Sequence, residues 1–461
     1  MKNCIRFILI TAIIFVMLSG CTEGNNGVKR MYTAEEIEQM ISEEDMQCGN
    51  YAHGTDNARK YVAPVWDSQI IYNETVLLIE EADGSVKPAS LIYKIAKILT
   101  VKKSNTLNAD AYTEDEDYIL TQDGKIALAE QSDIQAMPYG LYYPSTSDWF
   151  YKHADDSITG VVSNAAIIRQ YELSITYIRV QEYDGIKPTS RHNDLTTLKQ
   201  KINGTLNLLF LGDSITEGNG PSNSSSPYIP PFCDVVSQTI ADIKYKDINK
   251  ISQTLNIEDG KVNYFNAGVG GITAEQYKYM LDNNVDSMPY AGDYTKNKAR
   301  LVTPMMLSML NEADVVFLAF GSNDGGGWNG GKGATPIVFK SNITILINKI
   351  KAINPQASIV LVSSMKSNDR VYTNSLCTVP LLGSNTAEYE SMLNEYVKEK
   401  QNIVIAPVWS VLSALMHNGK PLNNFLADAR NHPNDFMTRI YAQTILTTIL
   451  PEGAIRIYPE V

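Results

Sequence analysis

Four clusters of polar residues and glycines in the second half of the chain contain the side chains that nucleophilic catalysis needs. They are residues 212–218, 266–273, 321–324 and 432–434. A serine hydroxyl is a weak nucleophile that requires a neighbouring base such as histidine, and glycine loops can point N–H groups at a ligand. Taken singly, each cluster also has a structural explanation: a helix cap for Ser214, tight turns for the glycines and Asn323, and a packing role for His432.

Short apolar runs from about residue 200 onward alternate with helical patterns, and they must position these clusters. The runs are 206–211, 263–265, 315–320, 359–362 and 402–406. Continuous apolar runs are typical of parallel strands that helices cover on both faces. The sequence therefore predicts a three-layer α/β/α domain with about five parallel strands. Because such sheets bind ligands at the carboxyl ends of their strands, the clusters are expected to meet at one edge.

In this order, the four clusters resemble the SGNH (GDSL-type) hydrolase superfamily, over about residues 204–450. The blocks of that superfamily are a Gly-Asp-Ser motif, a later glycine, a Gly-x-Asn-Asp motif and a C-terminal Asp-x-x-His. The resemblance implies a flavodoxin-like fold and a serine esterase in which Ser214 is the nucleophile and His432 the base. It also implies an oxyanion hole made by the backbone N–H groups of Ser214 and Gly271 and the Asn323 amide. No metal and no organic cofactor is implied.

The catalytic acid departs from the pattern of the superfamily. The residue three positions before His432 is Ala429, whereas Asp428 lies four positions before it. A one-residue bulge in the loop would still bring Asp428 to the imidazole. Otherwise the site would be a Ser–His dyad oriented by a backbone carbonyl, and both alternatives stay open at this point.

The N-terminal half has a different pattern, in which short β-branched runs alternate with turn signals. Asp83-Gly84 and Asp123-Gly124 separate such runs, which is typical of hairpins in a β-sandwich. The predicted domains are a signal peptide (1–20), a tether (21–54), a β-sandwich accessory domain (55–190) and the hydrolase domain (200–461).

The first residues resemble the signal of a bacterial lipoprotein. Lys2 and Arg6 accompany an apolar run over 7–18 that is short for a membrane span. Leu-Ser-Gly-Cys at 18–21 then resembles a lipoprotein cleavage site, with lipid attached to Cys21. We therefore expect an exported protein that is anchored to the cell membrane through lipidated Cys21. An ordinary signal peptide or an uncleaved anchor is the alternative.

Net charge, histidine spacing and the lack of a nucleotide-binding motif argue against several classes of function. The formal net charge is −12 and no basic run offsets it, so nucleic acid is a poor partner. The five histidines lack the paired spacing of a metal site, and no strand is followed by a full dinucleotide fingerprint.

An accessory β domain before such a hydrolase domain looks like the arrangement in esterases that deacetylate polysaccharides. The expected substrate is therefore an acetylated extracellular carbohydrate. Trp328, in a glycine-rich loop after the Asn323 block, either stacks on a sugar ring or packs its loop down. A lipase or thioesterase of the same superfamily and a non-catalytic glycan-binding lipoprotein remain the alternatives.

Overall fold

The computed structural model describes residues 31–49, 51–52, 54–104, 110–145, 150–153, 155, 157–222, 229–325, 333–372 and 385–459. The predicted signal peptide with Cys21 lies outside the described residues, and so does Trp328. Within the described ranges, no helix has the length and apolar character required to cross a bilayer. The described residues from Thr33 onward form one compact unit.

The strands of the described residues, in chain order, are β1 (Ile70–Leu77), β2 (Ile95–Lys103), β3 (Tyr118–Leu120), β4 (Ile126–Leu128), β5 (Phe150–His153), β6 (Val161–Val162), β7 (Glu172–Arg179), β8 (Leu206–Gly212), β9 (Ile248–Lys250), β10 (Val262–Gly268), β11 (Val315–Ala319), β12 (Ser358–Val362), β13 (Val371–Tyr372) and β14 (Ile403–Ala406). The helices are α1 (Ala34–Met40), α2 (Asp56–Val62), α3 (Tyr139–Tyr142), α4 (Ala165–Ile168), α5 (Thr196–Lys201), α6 (Ser214–Glu217), α7 (Phe232–Ile243), α8 (Ala274–Leu281), α9 (Asp293–Glu312), α10 (Pro336–Ile353), α11 (Thr386–Val397), α12 (Val408–Leu415) and α13 (Asp435–Ile449).

A parallel sheet forms the centre of the second half of the chain. Among the described residues it has six strands in the order β14-β12-β11-β8-β10-β9, and every pair in it is parallel. The prediction of a parallel α/β sheet is confirmed, with one strand more than expected. The additional strand, β9, is a three-residue edge strand with the sequence Ile-Asn-Lys. Its single apolar residue gives no run that a pattern could detect.

Alternate side chains of the parallel strands pack against helices on opposite faces of the sheet. Leu208 and Phe210 of β8 lie in one apolar core with α7, α12 and α13. Leu209 and Leu211 lie in a second core with α8, α9, α10 and α11. This alternation has the period of two that an extended strand imposes. It confirms the three-layer α/β/α prediction.

The N-terminal region is built from antiparallel strands. Strand β7 lies between β1 and β2 in a three-stranded sheet, and β3 and β4 form the hairpin predicted around Asp123-Gly124. These strands are compatible with the predicted N-terminal β domain. The first apolar core of the parallel sheet continues into this region, because it also contains Trp66, Leu173 and Tyr177.

A buried ion pair joins the antiparallel sheet to the α/β region. Lys420 Nζ lies 2.8 Å from Glu74 Oε1, and neither side chain is exposed. The Tyr177 hydroxyl donates to the other Glu74 oxygen at 2.8 Å. Nearby, Asn424 Oδ1 accepts the Leu77 N–H at 3.0 Å. Lys420 and Asn424 shortly precede the segment that contains Asp428 and His432. The antiparallel sheet therefore anchors the start of that segment.

Candidate active site

The turn that presents Ser214 follows directly from the end of strand β8. Asp213 caps helix α6 by accepting the Ile215 N–H at 2.9 Å, which turns the chain sharply and leaves Ser214 as the first helical residue. Gly212 is required immediately before this turn. A Cβ at Gly212 would lie 2.1 Å from Thr216 Oγ1 and 2.6 Å from the Ala319 carbonyl oxygen.

Ser214, His432 and Asp428 form a continuous hydrogen-bonded chain. The distance from Ser214 Oγ to His432 Nε2 is 2.9 Å, and that from His432 Nδ1 to Asp428 Oδ2 is 2.6 Å. The structure thus brings together a hydroxyl and an imidazole that are 218 positions apart in the chain. The arrangement has the geometry of a serine nucleophile, a base and an orienting acid.

A bulge at Ala429 brings Asp428 to the imidazole. Ala429 adopts a left-handed backbone with φ of 57°, so the loop accommodates one more residue than the Asp-x-x-His spacing. Asp428 Oδ1 then accepts three backbone N–H groups, from Arg430 at 3.0 Å, Asn431 at 3.1 Å and His432 at 3.2 Å. Its other oxygen remains available to His432. Of the two arrangements that the sequence left open, the structure has the bulge.

The electrostatic environment keeps Asp428 ionised. Burial by itself would raise the pKa of this carboxyl, but the His432 imidazole and the hydrogen bonds outweigh burial and lower the pKa to about 2. The carboxylate is therefore charged at every pH at which the protein is expected to work. A charged acceptor on Nδ1 favours the tautomer that leaves Nε2 free to accept the serine proton.

Gly271 and Asn323 line the same cleft as Ser214 and His432. Gly271 has a φ of 74°, a conformation that residues with a Cβ rarely adopt. The Asn323 side-chain amide donates one hydrogen to the Ile272 carbonyl at 2.9 Å, which fixes the orientation of the amide. Asn431 Nδ2 donates to Ser322 Oγ at 3.0 Å, so the His432 loop and the Asn323 turn are directly linked.

The cleft has a volume of about 390 Å³. The described residues that line it are Ser214, Asn219, Gly270, Gly271, Tyr290, Ala291, Gly292, Tyr294, Thr295, Asn323, Arg430, Asn431 and His432. None of these is a leucine, isoleucine, valine, methionine or phenylalanine. Polar side chains, glycines, one alanine and two tyrosines thus form the described walls.

Several residues near the cleft were not predicted from the sequence, and four of them contact the glycine loop or present aromatic rings. Glu217 Oε2 accepts the Gly270 N–H at 2.7 Å, and Thr295 Oγ1 donates to the Gly270 carbonyl at 2.9 Å. Tyr290 and Tyr294 line the cleft. Glu217 lies inside the first cluster and could have been considered there. The other three belong to α9 or the loop before it, where no local signal relates them to the glycine loop.

Two further carboxyl groups are buried behind the site. Burial raises the pKa of Asp213 to about 6. It raises the pKa of Asp324 to about 7, and the neighbouring Asp213 adds to this effect. Asp324 accepts the Ala274 N–H at the start of α8. Among the described residues, no group of three or more His, Cys, Asp and Glu side chains could hold a metal ion.

The raised pKa of Asp324 predicts a dependence of stability on pH. The folded state binds the proton of the Asp324 carboxyl more tightly than the unfolded state does. Protonated Asp324 therefore contributes to the free energy of unfolding in full below the ordinary aspartate pKa of 3.8, and this contribution is lost as pH rises through about 7. Asp324→Asn keeps a neutral acceptor for the Ala274 N–H. Wild type loses this contribution as pH rises, whereas the variant has none to lose. The difference in the free energy of unfolding, variant minus wild type, should therefore increase by at most about 4 kcal/mol between pH 4 and pH 8.

Urea unfolding over this pH range measures the difference between Asp324→Asn and wild type. Asp133→Asn, which changes an exposed carboxylate, is the control and should follow the wild-type curve. Parallel curves for Asp324→Asn and wild type would contradict the prediction.

The sequence profile of the GDSL-like lipase/acylhydrolase family matches residues 210–440, which is half of the 461-residue chain. No curated protein matches the chain. A similar solved structure is a carbohydrate esterase family 3 protein from Talaromyces cellulolyticus, with 16% identity, coverage of 52% of this chain and 94% of that one, and a TM-score of 0.32. Another is a family 3 carbohydrate esterase from Clostridium thermocellum (13% identity, 53% and 94% coverage, TM-score 0.32). A third is a member of the lipolytic protein G-D-S-L family from Veillonella parvula (17% identity, 52% and 96% coverage, TM-score 0.30).

Proposed function

Because the chain belongs to the GDSL-like lipase/acylhydrolase family, we propose that it is a serine esterase that removes O-acetyl groups from extracellular carbohydrate. The observation that carries this proposal is the hydrogen-bonded chain from Ser214 Oγ through His432 to Asp428. It supplies a nucleophile, a base and a charged group that orients the base. A protein that only bound glycan would not need this series of hydrogen bonds.

In the proposed reaction, Ser214 Oγ attacks the acetyl carbonyl carbon while its proton passes to His432 Nε2. The tetrahedral intermediate bears a negative oxygen, which the N–H groups of Ser214 and Gly271 and the Asn323 amide would stabilise. His432 then protonates the departing sugar oxygen, which leaves as a free hydroxyl group, and acetyl-Ser214 remains. Water, deprotonated by His432, attacks the acetyl carbonyl carbon, and His432 returns that proton to Ser214 Oγ as the ester bond breaks and acetate leaves. Asp428 stabilises the imidazolium in both steps.

The cleft favours a small acyl group and a polar alcohol. Its described lining lacks large aliphatic side chains, which a long acyl chain would need in order to be buried. Tyr290 and Tyr294 are 71% and 63% exposed at its edge. Exposed aromatic rings at the edge of the cleft offer apolar faces on which a sugar ring can stack. These features favour an acetylated carbohydrate over a lipid.

The test is a comparison of acyl chain lengths and of alcohols. Acetate release from an acetylated xylo-oligosaccharide and hydrolysis of p-nitrophenyl acetate, butyrate and octanoate are measured with wild type and Ser214→Ala. We expect a preference for acetate over octanoate and the loss of measurable steady-state activity in the variant. A preference for octanoate would favour a lipase or thioesterase. No turnover of any ester would favour a non-catalytic glycan-binding protein.

Tyr290 allows a sharper test of the carbohydrate. Tyr290→Ala should lower the ratio of kcat/KM for the acetylated oligosaccharide to that for p-nitrophenyl acetate by about 3- to 10-fold, because one stacking surface is lost. Tyr245→Ala is a matched control. Tyr245 is also exposed (94%) and has nearly the same φ, 53° against 55° for Tyr290. An unchanged ratio in Tyr290→Ala would contradict a sugar-stacking role.

Gly271→Ala tests the proposed oxyanion hole. Alanine would be strained at a φ of 74°, and its Cβ would lie 3.0 Å from Thr295 Oγ1, so the N–H should turn away from the intermediate. We expect kcat to fall by about 10²–10³-fold, the usual effect of losing one donor. Steady-state kinetics on p-nitrophenyl acetate measure the change. Gly292→Ala, at a cleft residue whose Cβ would meet nothing within 4 Å, is the control, and a similar small effect in both variants would contradict the assignment.

The proposed location is the surface of the cell membrane, with lipid on Cys21. The Leu-Ser-Gly-Cys sequence at 18–21 supports this location. In cells, Cys21→Ala should move the protein from the sedimented membrane fraction to the soluble fraction. Unchanged sedimentation of the variant would favour the uncleaved anchor, in which the apolar run over 7–18 holds the protein at the membrane.

A further inference from the structure

The proposed oxyanion donor, the Gly271 N–H, belongs to a peptide group between two glycines. Because neither Gly270 nor Gly271 has a Cβ, few steric contacts limit rotation of this peptide plane. In a trans peptide, the Gly270 carbonyl and the Gly271 N–H point in opposite directions. Whatever holds the carbonyl therefore also aims the N–H.

Helix α9 holds this carbonyl through Thr295. The Thr295 hydroxyl donates to the Gly270 carbonyl oxygen at 2.9 Å, and Thr295 is only 7% exposed. The same hydroxyl oxygen lies 3.0 Å from the place where a Gly271 Cβ would stand. Thr295 thus contacts the peptide both through a hydrogen bond and through close packing against Gly271.

The preceding peptide group, which contains the Gly270 N–H, is bound by Glu217 in the turn that presents Ser214. Glu217, three residues after Ser214, accepts the Gly270 N–H at 2.7 Å. Glu217 Oε1 in turn lies 3.0 Å from Lys298 Nζ and accepts the Tyr294 hydroxyl at 3.2 Å. The glycine loop is therefore held between α6 and the first turns of α9.

We propose that Thr295 is a positioning residue that fixes the Gly270–Gly271 peptide so that the Gly271 N–H points into the cleft. The inference rests on the proposed esterase function. It means that helix α9, through Thr295, sets the direction of one oxyanion-hole donor, the Gly271 N–H. Without the hydroxyl, the Gly270 carbonyl loses its donor. The peptide can then rotate and take the N–H away from the developing negative charge.

Thr295→Val tests this role because valine keeps the shape of threonine and replaces the hydroxyl with a methyl group. A methyl carbon at 2.9 Å from an oxygen is closer than the usual contact of at least about 3.3 Å, so the carbonyl should turn away. We expect kcat on p-nitrophenyl acetate to fall by about 10- to 100-fold with little change in KM, less than complete loss of a donor would cause. Thr295→Ser, which keeps the hydroxyl, should retain at least about a third of wild-type kcat.

Two controls separate positioning from a general loss of stability. Thr303→Val removes a buried threonine hydroxyl from the same helix, where it donates to the Ala299 carbonyl at 2.8 Å, and should leave kcat within about twofold. Methylboronic acid forms a tetrahedral adduct with a catalytic serine. Its inhibition constant should rise in Thr295→Val by about the same factor as kcat falls, and remain unchanged in Thr303→Val.

Crystal structures of wild type and Thr295→Val decide the inference independently of any activity. A Gly270 carbonyl that keeps its direction in the variant would overturn the proposal, as would equal kinetic effects of Thr295→Val and Thr303→Val. By contrast, a wild-type protein that hydrolyses no ester would refute the proposed function, while the direction of the carbonyl would still show whether Thr295 orients the peptide.

Discussion

Ser214→Ala is expected to reduce kcat for acetyl ester hydrolysis by about 10⁶-fold, and His432→Ala should have a similar effect. The two side chains act as one unit because Ser214 Oγ and His432 Nε2 share a hydrogen bond of 2.9 Å. Without the hydroxyl no acyl-enzyme forms, and without the imidazole the hydroxyl keeps its proton. The double variant should therefore be about as slow as either single variant.

Single-turnover and steady-state kinetics on p-nitrophenyl acetate measure these losses. Ser237→Ala is a matched control, since Ser237 is also buried and its hydroxyl donates to a carbonyl, that of Cys233, at 2.8 Å. It should leave kcat close to the wild-type value. If the losses in the single variants multiplied in the double variant, Ser214 and His432 would act independently, and the proposed mechanism would be wrong.

Asp428→Asn should lower kcat by about 10⁴-fold while leaving the fold intact. The side-chain oxygen of asparagine can still accept the three N–H groups that now bond to Asp428 Oδ1. The asparagine NH₂ group would then face His432 Nδ1, where the carboxylate oxygen now lies at 2.6 Å. An amide donor at that position favours a proton on Nε2 instead of Nδ1, and a protonated Nε2 cannot accept the serine proton.

The low pKa of Asp428 adds a test based on pH. Because its pKa in the folded state is about 2, below the ordinary aspartate value of 3.8, its stabilising contribution is present above pH 3.8 and is lost only as pH falls through about 2. Asp428 should therefore stay ionised between pH 5 and pH 9, and we expect the large loss of activity in Asp428→Asn at every pH in this range. Far-UV circular dichroism should be unchanged in the variant. A loss of less than tenfold would indicate that the serine and histidine act as a dyad.

Much of the parallel sheet could be predicted, because its central strands are continuous apolar runs. Strand β11, for example, is the run Val-Val-Phe-Leu-Ala and is buried along its whole length. Strand β9 could not be predicted in the same way, since an edge strand is only partly buried and needs no apolar run. The buried pair of Glu74 and Lys420 was not predictable either, because two charges 346 residues apart carry no periodic signal.

The pattern of residues along the chain is enough to identify which side chains could react and at which strand ends they lie. The apolar pattern reveals three strands that are followed, directly or after a short loop, by Ser214, Gly271 and Asn323. Parallel strands bring their carboxyl ends to one edge of the sheet. The contact between Asp428 and His432 could not be predicted in this way, because it depends on the left-handed backbone of Ala429. The contact between Thr295 and Gly270 is likewise visible only in the folded protein. A local pattern records which face of an element is buried, whereas contacts between elements depend on the register at which they pack.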